Sequence, residues 1–307
     1  MKLRYGTRGS PLAIAQSDWV ASRLKEAHST IDLERVVIVT SGDKSDRPSG
    51  ADNLKAMFVK EIEEALLAGS IDFAVHSSKD LPGELPAGLE IAAYPEREDP
   101  RDVYIGGPSA PRWESIGVGA VIGTSSLRRQ IQLRMINPGI SFVQMRGNVD
   151  TRLKKLADGK ASGIVLAKAG LKRLGRADVP HQDLSTDSMI PAPGQGALAL
   201  EAKSDRTDVL ETLAYLDDPK TRIEVECERM FLKAMGGGCS MPLGAYAEAD
   251  TPAGKPPAVK LSVFWSDAEG KNPVRRSGTC SAERRRMNAF VNEMARQIRG
   301  GSGPATD

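Results

Sequence analysis

Apolar and polar positions along this chain switch repeatedly between a period of two and a period of 3.6, and each switch marks an element. Residues 2–8 read as a strand; Ser10 then offers an N-cap, Pro11 a first helical position, and Ala13, Val20, Leu24 and Ala27 share one face of the predicted helix. A second strand is predicted over 35–39, a helix with Val59, Ile62 and Leu66 on one face, and strands over 71–75 and 89–93. Residues 41–55 follow neither period and are polar and punctuated by Gly and Pro, the pattern of a long loop of the lid type.

The alternation pauses at the charged segment 96–102 and then resumes. Strands are predicted over 120–122, 141–143 and 163–166, with helices from Ser126, over 149–156 and over 167–174. Two turns look equivalent: Gly6-Thr7-Arg8-Gly9-Ser10 and Gly123-Thr124-Ser125-Ser126 each follow a strand, start with Gly-Thr, open a helix with a hydroxyl and have arginine at hand. They predict two related α/β domains. Pro191-Ala192-Pro193-Gly194-Gln195-Gly196 reads as a second hinge, and the apolar run 197–200 with a helix over 208–213 returns the chain to the first domain. A helix with Ile223, Cys227, Met230 and Ala234 on one face, strands over 243–247 and 259–264, and a helix carrying Met287, Val291, Met294 and Ile298 predict a small α+β third domain. The expected partition is 1–96 with 197–215, then 97–196, then 216–307.

Composition narrows the chemistry. With 42 basic and 40 acidic residues in 307, the net charge of +2 recruits neither nucleic acid nor an anionic membrane, so anion binding must come from local clusters. No window approaches the ~18 apolar residues of a membrane span, and the N-terminus lacks a signal-peptide core, which leads us to expect a cytoplasmic protein. Three cysteines without a CxxC pair and three histidines without HExxH argue against a disulfide framework and a metal site.

Chemistry concentrates in a few stretches. Arg8, Arg128 and Arg129 sit at the Gly-Thr turns beside helix N-termini, and Arg146 and Arg152 flank Gly147 at a third strand-to-helix junction, as holders of spread-out anions or as surface ion pairs. Lys79 and Asp80 follow an apolar strand, where Asp80 either stabilises a developing cation or caps the next turn. His76 reads as a structural histidine. Cys227 falls on a buried stripe and Cys280 just before a Ser281 N-cap. Cys239 stands apart, behind Gly236-Gly237-Gly238 and ahead of Pro242, either incidental to a tight turn or the purpose of the loop. Without a partnered base nearby, it suits permanent attachment better than turnover. A non-catalytic carboxylate-binding protein and a thiol-dependent transferase are the rival readings.

Taken together, Thr7 to Ala13, Phe58-Val59-Lys60-Glu61, Val75 to Asp80, Glu96 to Asp102, Gly123 to Gln130, Arg146 to Val149 and Gly237-Gly238-Cys239 come in the order and spacing of the porphobilinogen deaminase (hydroxymethylbilane synthase) family, which the chain resembles over its whole length. The resemblance implies two domains similar to type II periplasmic binding proteins and a small third domain. It implies a dipyrromethane cofactor in thioether linkage to Cys239, onto which four porphobilinogens are deaminated and joined before hydrolysis releases hydroxymethylbilane. Asp80, with Lys79, matches the catalytic position. Thr124, Ser125, Ser126, Arg128, Arg129, Arg146 and Gly147 match cofactor-holding positions together with Lys79 and Asp80; Arg8, Ser10, Gln16, Arg146, Arg152, Arg173 and Gln195 match substrate positions. Arg229 falls on a further site position, and Lys55 and Phe58 match the lid. The family habit is a monomer. One departure is Asn53-Leu54-Lys55-Ala56-Met57, where a Gly-Gly-Lys-Gly type run is usual, a change expected to stiffen that end of the lid.

Overall fold

The computed structural model describes residues 1–41, 56–237 and 241–300, with side chains from residue 59 onward in the second of these segments. Lys55 and Cys239, and with them the lid and anchor expectations, lie outside the described residues; Phe58 is described only as part of a helix backbone.

Two five-stranded sheets carry most of the chain. The first contains β1 (Lys2–Arg8), β2 (Asp32–Ile38), β3 (Phe73–Ser77), β4 (Leu89–Ala93) and β10 (Leu198–Lys203) in the order β2-β1-β3-β10-β4. The second contains β5 (Asp102–Gly106), β6 (Val121–Gly123), β7 (Ser141–Val143), β8 (Gly163–Ala167) and β9 (Gln182–Asp183) in the order β7-β6-β8-β5-β9. The two orders superimpose strand for strand. In each, three neighbouring strands are parallel, as right-handed β-α-β crossovers require, and the fourth is antiparallel. That fourth strand arrives each time from a segment linking the sheets: β5 leaves the first sheet for the second, and β10 returns.

Local sequence accounts for the helices on these sheets. α1 (Pro11–Ala27) starts as expected, with Ser10 Oγ accepting from Ala13 N at 3.3 Å and Pro11 in the first turn. α2 (Ala56–Leu67) buries Val59, Ile62 and Leu66. In the second unit α3 (Leu127–Ile136) is capped by Ser126 and α4 (Val149–Ala157) by Asn148. α5 (Lys168–Arg173) and α6 (Thr207–Ala214) lie where the periodicity places them. The two linking segments touch closely. Gly196 has φ +88°, and a Cβ there would stand 2.2 Å from the Glu98 carbonyl oxygen, so this contact requires glycine.

The third unit packs α7 (Pro219–Ala234) and α8 (Arg284–Gly300) on an antiparallel sheet of β11 (Leu243–Asp250), β12 (Ala258–Trp265) and β13 (Val274–Ser281). Its core joins Cys227, Phe231, Val259, Leu261, Val263, Met287, Val291 and Ile298. Burial in that core pushes the Cys227 thiol well up, which makes it an inert apolar side chain. Cys280 is a correction to the expected cap: it lies inside β13, and Ser281 ends that strand, bonding Glu283 N, while the helix begins at Arg284. The strand escapes a periodicity reading because it is a sheet edge of mostly polar residues.

One buried carboxylate ties the three units together. Glu228 of α7 receives Arg97 Nη1 at 2.7 Å and Nη2 at 3.1 Å, Gly194 N at 2.6 Å and Ala247 N at 2.8 Å. Both linking segments and the third sheet therefore meet on a single side chain. Apolar contacts support it: Val225 packs with Leu81, Tyr94, Ala197 and Ala199, and Phe264 with Ile131 and Ile190.

Candidate functional site

At the C-terminal end of β3 the chain turns through a single 3-10 turn, Ser78–Asp80, into buried Leu81. Crossover topology makes the carboxyl ends of parallel strands the natural place for a site, since loops there can converge without covering the sheet. Asp80 lines a recess of about 60 Å³ together with Arg8, Ser10, Gln16, His76 and Ser77. Four expected site residues thus share one recess, Arg8, Ser10 and Gln16 from the first strand-to-helix turn and Asp80 from the end of β3. Gln16 is held in place by exchanging hydrogen bonds with Ser77 Oγ at 2.9 and 3.0 Å. His76 has a structural partner as expected, its Nε2 standing 2.9 Å from Glu201 Oε2 in the sheet interior.

A second group of expected residues surrounds a carboxylate that sequence reasoning passed over. Asp102 Oδ1, at the start of β5, accepts from Arg129 Nη2 at 2.7 Å, Arg129 Nε at 3.1 Å and Gln195 Nε2 at 2.9 Å. Its Oδ2 faces Arg128 Nη2 at 2.8 Å but off the hydrogen-bond direction, so that contact is Coulombic. Burial by itself would raise this carboxyl; Arg128 and then Arg129 outweigh it and hold Asp102 well below the usual carboxylate range. Arg128 Nη1 also donates to Ile190 O, and Arg129 Nη1 to Val165 O. Lys79 connects the two groups. Burial lowers it to about 8, Asp80 and Asp102 favour its charge, and Arg129 and Arg128 oppose it.

The remaining expected residues divide by what they bond. Thr124 is buried and accepts from Ser126 N; Ser125 Oγ accepts from Met145 N; Ser126 Oγ caps α3. These hydroxyls shape the turn. Arg146 is exposed on the junction where Gly147 takes φ +108°. Arg152 Nε donates to Gly147 O at 2.9 Å and Arg173 Nη2 to Gly196 O at 2.7 Å. Burial pulls both guanidinium groups down to about 10, with Arg129 adding to the effect on Arg152 and Glu98 opposing it on Arg173. Arg229 Nη1 on α7 is buried without a hydrogen-bond partner among the described residues, as is Ser78 Oγ. Desolvated, under-paired donors of this kind are favoured by an anionic ligand.

The end of α7 and the glycine after it run against the turn that follows Asp80. A Cβ built on Gly83, three residues after Asp80, would lie 3.2 Å from Lys233 Cα and 3.5 Å from Gly237 Cα, and Lys233 Nζ pairs with Glu84 at 2.7 Å. Arg284-Arg285-Arg286 begins α8, its first and third members paired with Glu226 and Glu283, as a solvated helix face would be.

Asp102 had one legible signal, a carboxylate opening a strand whose next residues, Val103, Tyr104 and Ile105, are all apolar and buried. A charge entering such a strand implies a buried counter-charge.

The family model "Porphobilinogen deaminase, dipyromethane cofactor binding domain" matches residues 3–211, and "Porphobilinogen deaminase, C-terminal domain" matches residues 222–298. The porphobilinogen deaminase of Syntrophus aciditrophicus (strain SB) is 50% identical over 247 residues, covering 80% of each chain. That of Geotalea daltonii is 41% identical over 305 residues, covering 99% of this chain and 93% of its own. Among solved structures, the methionine binding protein MetQ aligns with a TM-score of 0.43 at 11% identity, over 70% of this chain and 89% of its own. With both family models in sequence order and identity of this level reaching nearly from end to end, the chain belongs to the porphobilinogen deaminase family.

Proposed function

We propose that the recess at the end of β3 is where this enzyme joins pyrrole units, with Asp80 as its catalytic carboxylate and Cys239 as the attachment point of its dipyrromethane. As a hydroxymethylbilane synthase of tetrapyrrole biosynthesis, the chain deaminates four porphobilinogen molecules, joins them head to tail and hydrolyses off the linear tetrapyrrole. The observation that carries the site assignment is convergence: Asp80 shares its recess with Arg8, Ser10 and Gln16, and the turn that follows it packs against Gly237, two residues before Cys239. Dipyrromethane, when bound, supplies a nucleophilic pyrrole carbon at the end of a tethered chain. Its carboxylate arms fit the donors present, since Arg152 and Arg173 are desolvated and under-paired and Arg229 has an orphan buried N–H.

The roles follow from placement. Asp80 stabilises the positive charge that develops on porphobilinogen as ammonia leaves, which a fixed carboxylate does best when half-buried. Lys79, charged below about pH 8, adds a cation between the two groups. Arg8, with Ser10 and Gln16, orients the incoming carboxylates; Arg128, Arg129, Arg146, Arg152 and Arg173 receive those of the chain already made, with Thr124, Ser125, Ser126, Gly147 and Gln195 shaping the turns between them. We assign residues 1–96 with 197–215, 97–196 and 216–307 to three domains, a division supported by sheet membership, and take the protein to be a cytoplasmic monomer that acts without metal.

Intact mass under denaturing conditions tests the assignment. Wild-type protein should carry the added mass of dipyrromethane, and Cys239→Ser should not. An unmodified but fully active wild type would overturn it.

A further inference from the structure

We propose that Asp102 is a positioning residue for this reaction: a built-in counter-charge that holds Arg128, Arg129 and Gln195 as one array and limits the grip of that array on the growing chain. The inference rests on the reading above that Arg128 and Arg129 face the chain's carboxylates. Its own basis is geometric. Asp102, Arg129 and Gln195 are each buried, and one carboxylate oxygen takes three N–H groups from the two others while its second oxygen faces Arg128. Backbone carbonyls of Ile190 and Val165 fix the far sides of the two guanidinium groups. Two cations therefore share one anion, and the array offers a net single positive charge with its remaining N–H groups already aimed.

A polymerising enzyme needs this restraint. Each addition brings further carboxylates, and the chain must shift after every addition and leave at the end. Binding that is equally strong at every stage lowers the energy of the stalled complexes without lowering the barrier between them. An unneutralised pair of buried arginines would bind carboxylates strongly in a low-dielectric setting. Asp102 removes half of that charge permanently and spares the chain from supplying it. Gln195 sits on the segment that links the two sheets, so the same contact ties the array to the crossover.

Asp102 also acts on Lys79, whose charged neighbours among the described residues include Asp80 beside it, Arg128 and Arg129 from α3 and Asp102 from β5. Removing the Asp102 charge withdraws an anion that favours protonated Lys79.

The test uses holoenzyme with Asp102→Asn, which keeps the shape and the Oδ1 acceptor and deletes the charge. After brief exposure to porphobilinogen and denaturing mass spectrometry, the fraction of enzyme carrying one to three extra pyrrole units should rise severalfold over wild type. The alkaline limb of the kcat/KM profile should move down by about one pH unit. A purely structural role for Asp102 would move neither in these directions, and an unchanged stalled fraction with an unmoved limb overturns the proposal. Because an unbalanced buried charge threatens folding, a second comparison omits the single variant: Asp102→Asn with Arg128→Gln restores the net charge and should stall more than Arg128→Gln alone. Equal stalling in those two also overturns it. Dipyrromethane mass before substrate is the control: its absence from wild type defeats the site assignment, whereas its presence with unchanged stalling defeats this inference alone.

Discussion

Arg97→Met is the sharpest test of how the three units are held together. Arg97 is buried, forms two hydrogen bonds to Glu228, donates to Gln195 O at 3.0 Å and stands 5.4 Å from the Tyr246 ring centre. Methionine keeps much of the volume and deletes the charge. Removing one partner of a buried ion pair costs about 3–5 kcal/mol, because the other is left charged and unpaired. Unfolding entropy of about 2.1 cal/mol/K per residue, over the 307 residues here, turns that into a fall of about 5–8 °C in Tm. The loss should also depend on pH. Burial raises the Glu228 carboxyl above its ordinary value even with Arg97 opposing it, and without Arg97 it rises further. Between the unfolded value near 4.5 and the raised native one, the native state binds the extra proton, so stability falls as pH rises through that window. The variant should therefore be closest to wild type near pH 5 and furthest from it near pH 8. Differential scanning calorimetry at both pH values reads this directly. A fall of less than about 2 °C at the higher pH, or a deficit that grows on acidification, would refute the reasoning.

Four further outcomes are expected. Asp80→Asn should keep the dipyrromethane mass and lose about 10²–10³ in kcat, the scale of one lost electrostatic stabiliser; wild-type turnover would remove Asp80 from the chemistry. The kcat/KM profile should fall above about pH 8 as Lys79 loses its proton, and the limb should vanish in Lys79→Met. The same depressed value means that the native state binds fewer protons than the unfolded one between about 8 and 10.5, so Lys79 makes stability rise with pH across that window, a slope absent from the variant. Gly196→Ala should lower stability by about 1–3 kcal/mol in urea titrations, since its φ of +88° and the Glu98 carbonyl at 2.2 Å both oppose a side chain; an unchanged midpoint would mean that the linking segments part easily.

What the linear chain determined was local. Ser10-Pro11 and Ser126 state where helices begin because capping needs only neighbours in sequence, and the repeated Gly-Thr turn marks two like units. The order of motifs was enough to identify the family. Tertiary structure decided what no window of residues contains. The antiparallel strands β5 and β10 lie beside partners some 60 to 125 positions away, as Asp102↔Ala167 and Ala199↔His76 show, so their pairing carries no local period. The edge strand β13 was hidden because a one-sided edge needs few apolar residues. The arginines at the site were visible as residues, yet their charge state was not. Arg128 and Arg129 share Asp102, Arg97 is committed to Glu228, and Arg152 and Arg173 remain under-paired. A sequence counts charges; folding decides which are neutralised from within and which are left for a ligand, because Coulomb energy depends on separation and burial and not on position along the chain.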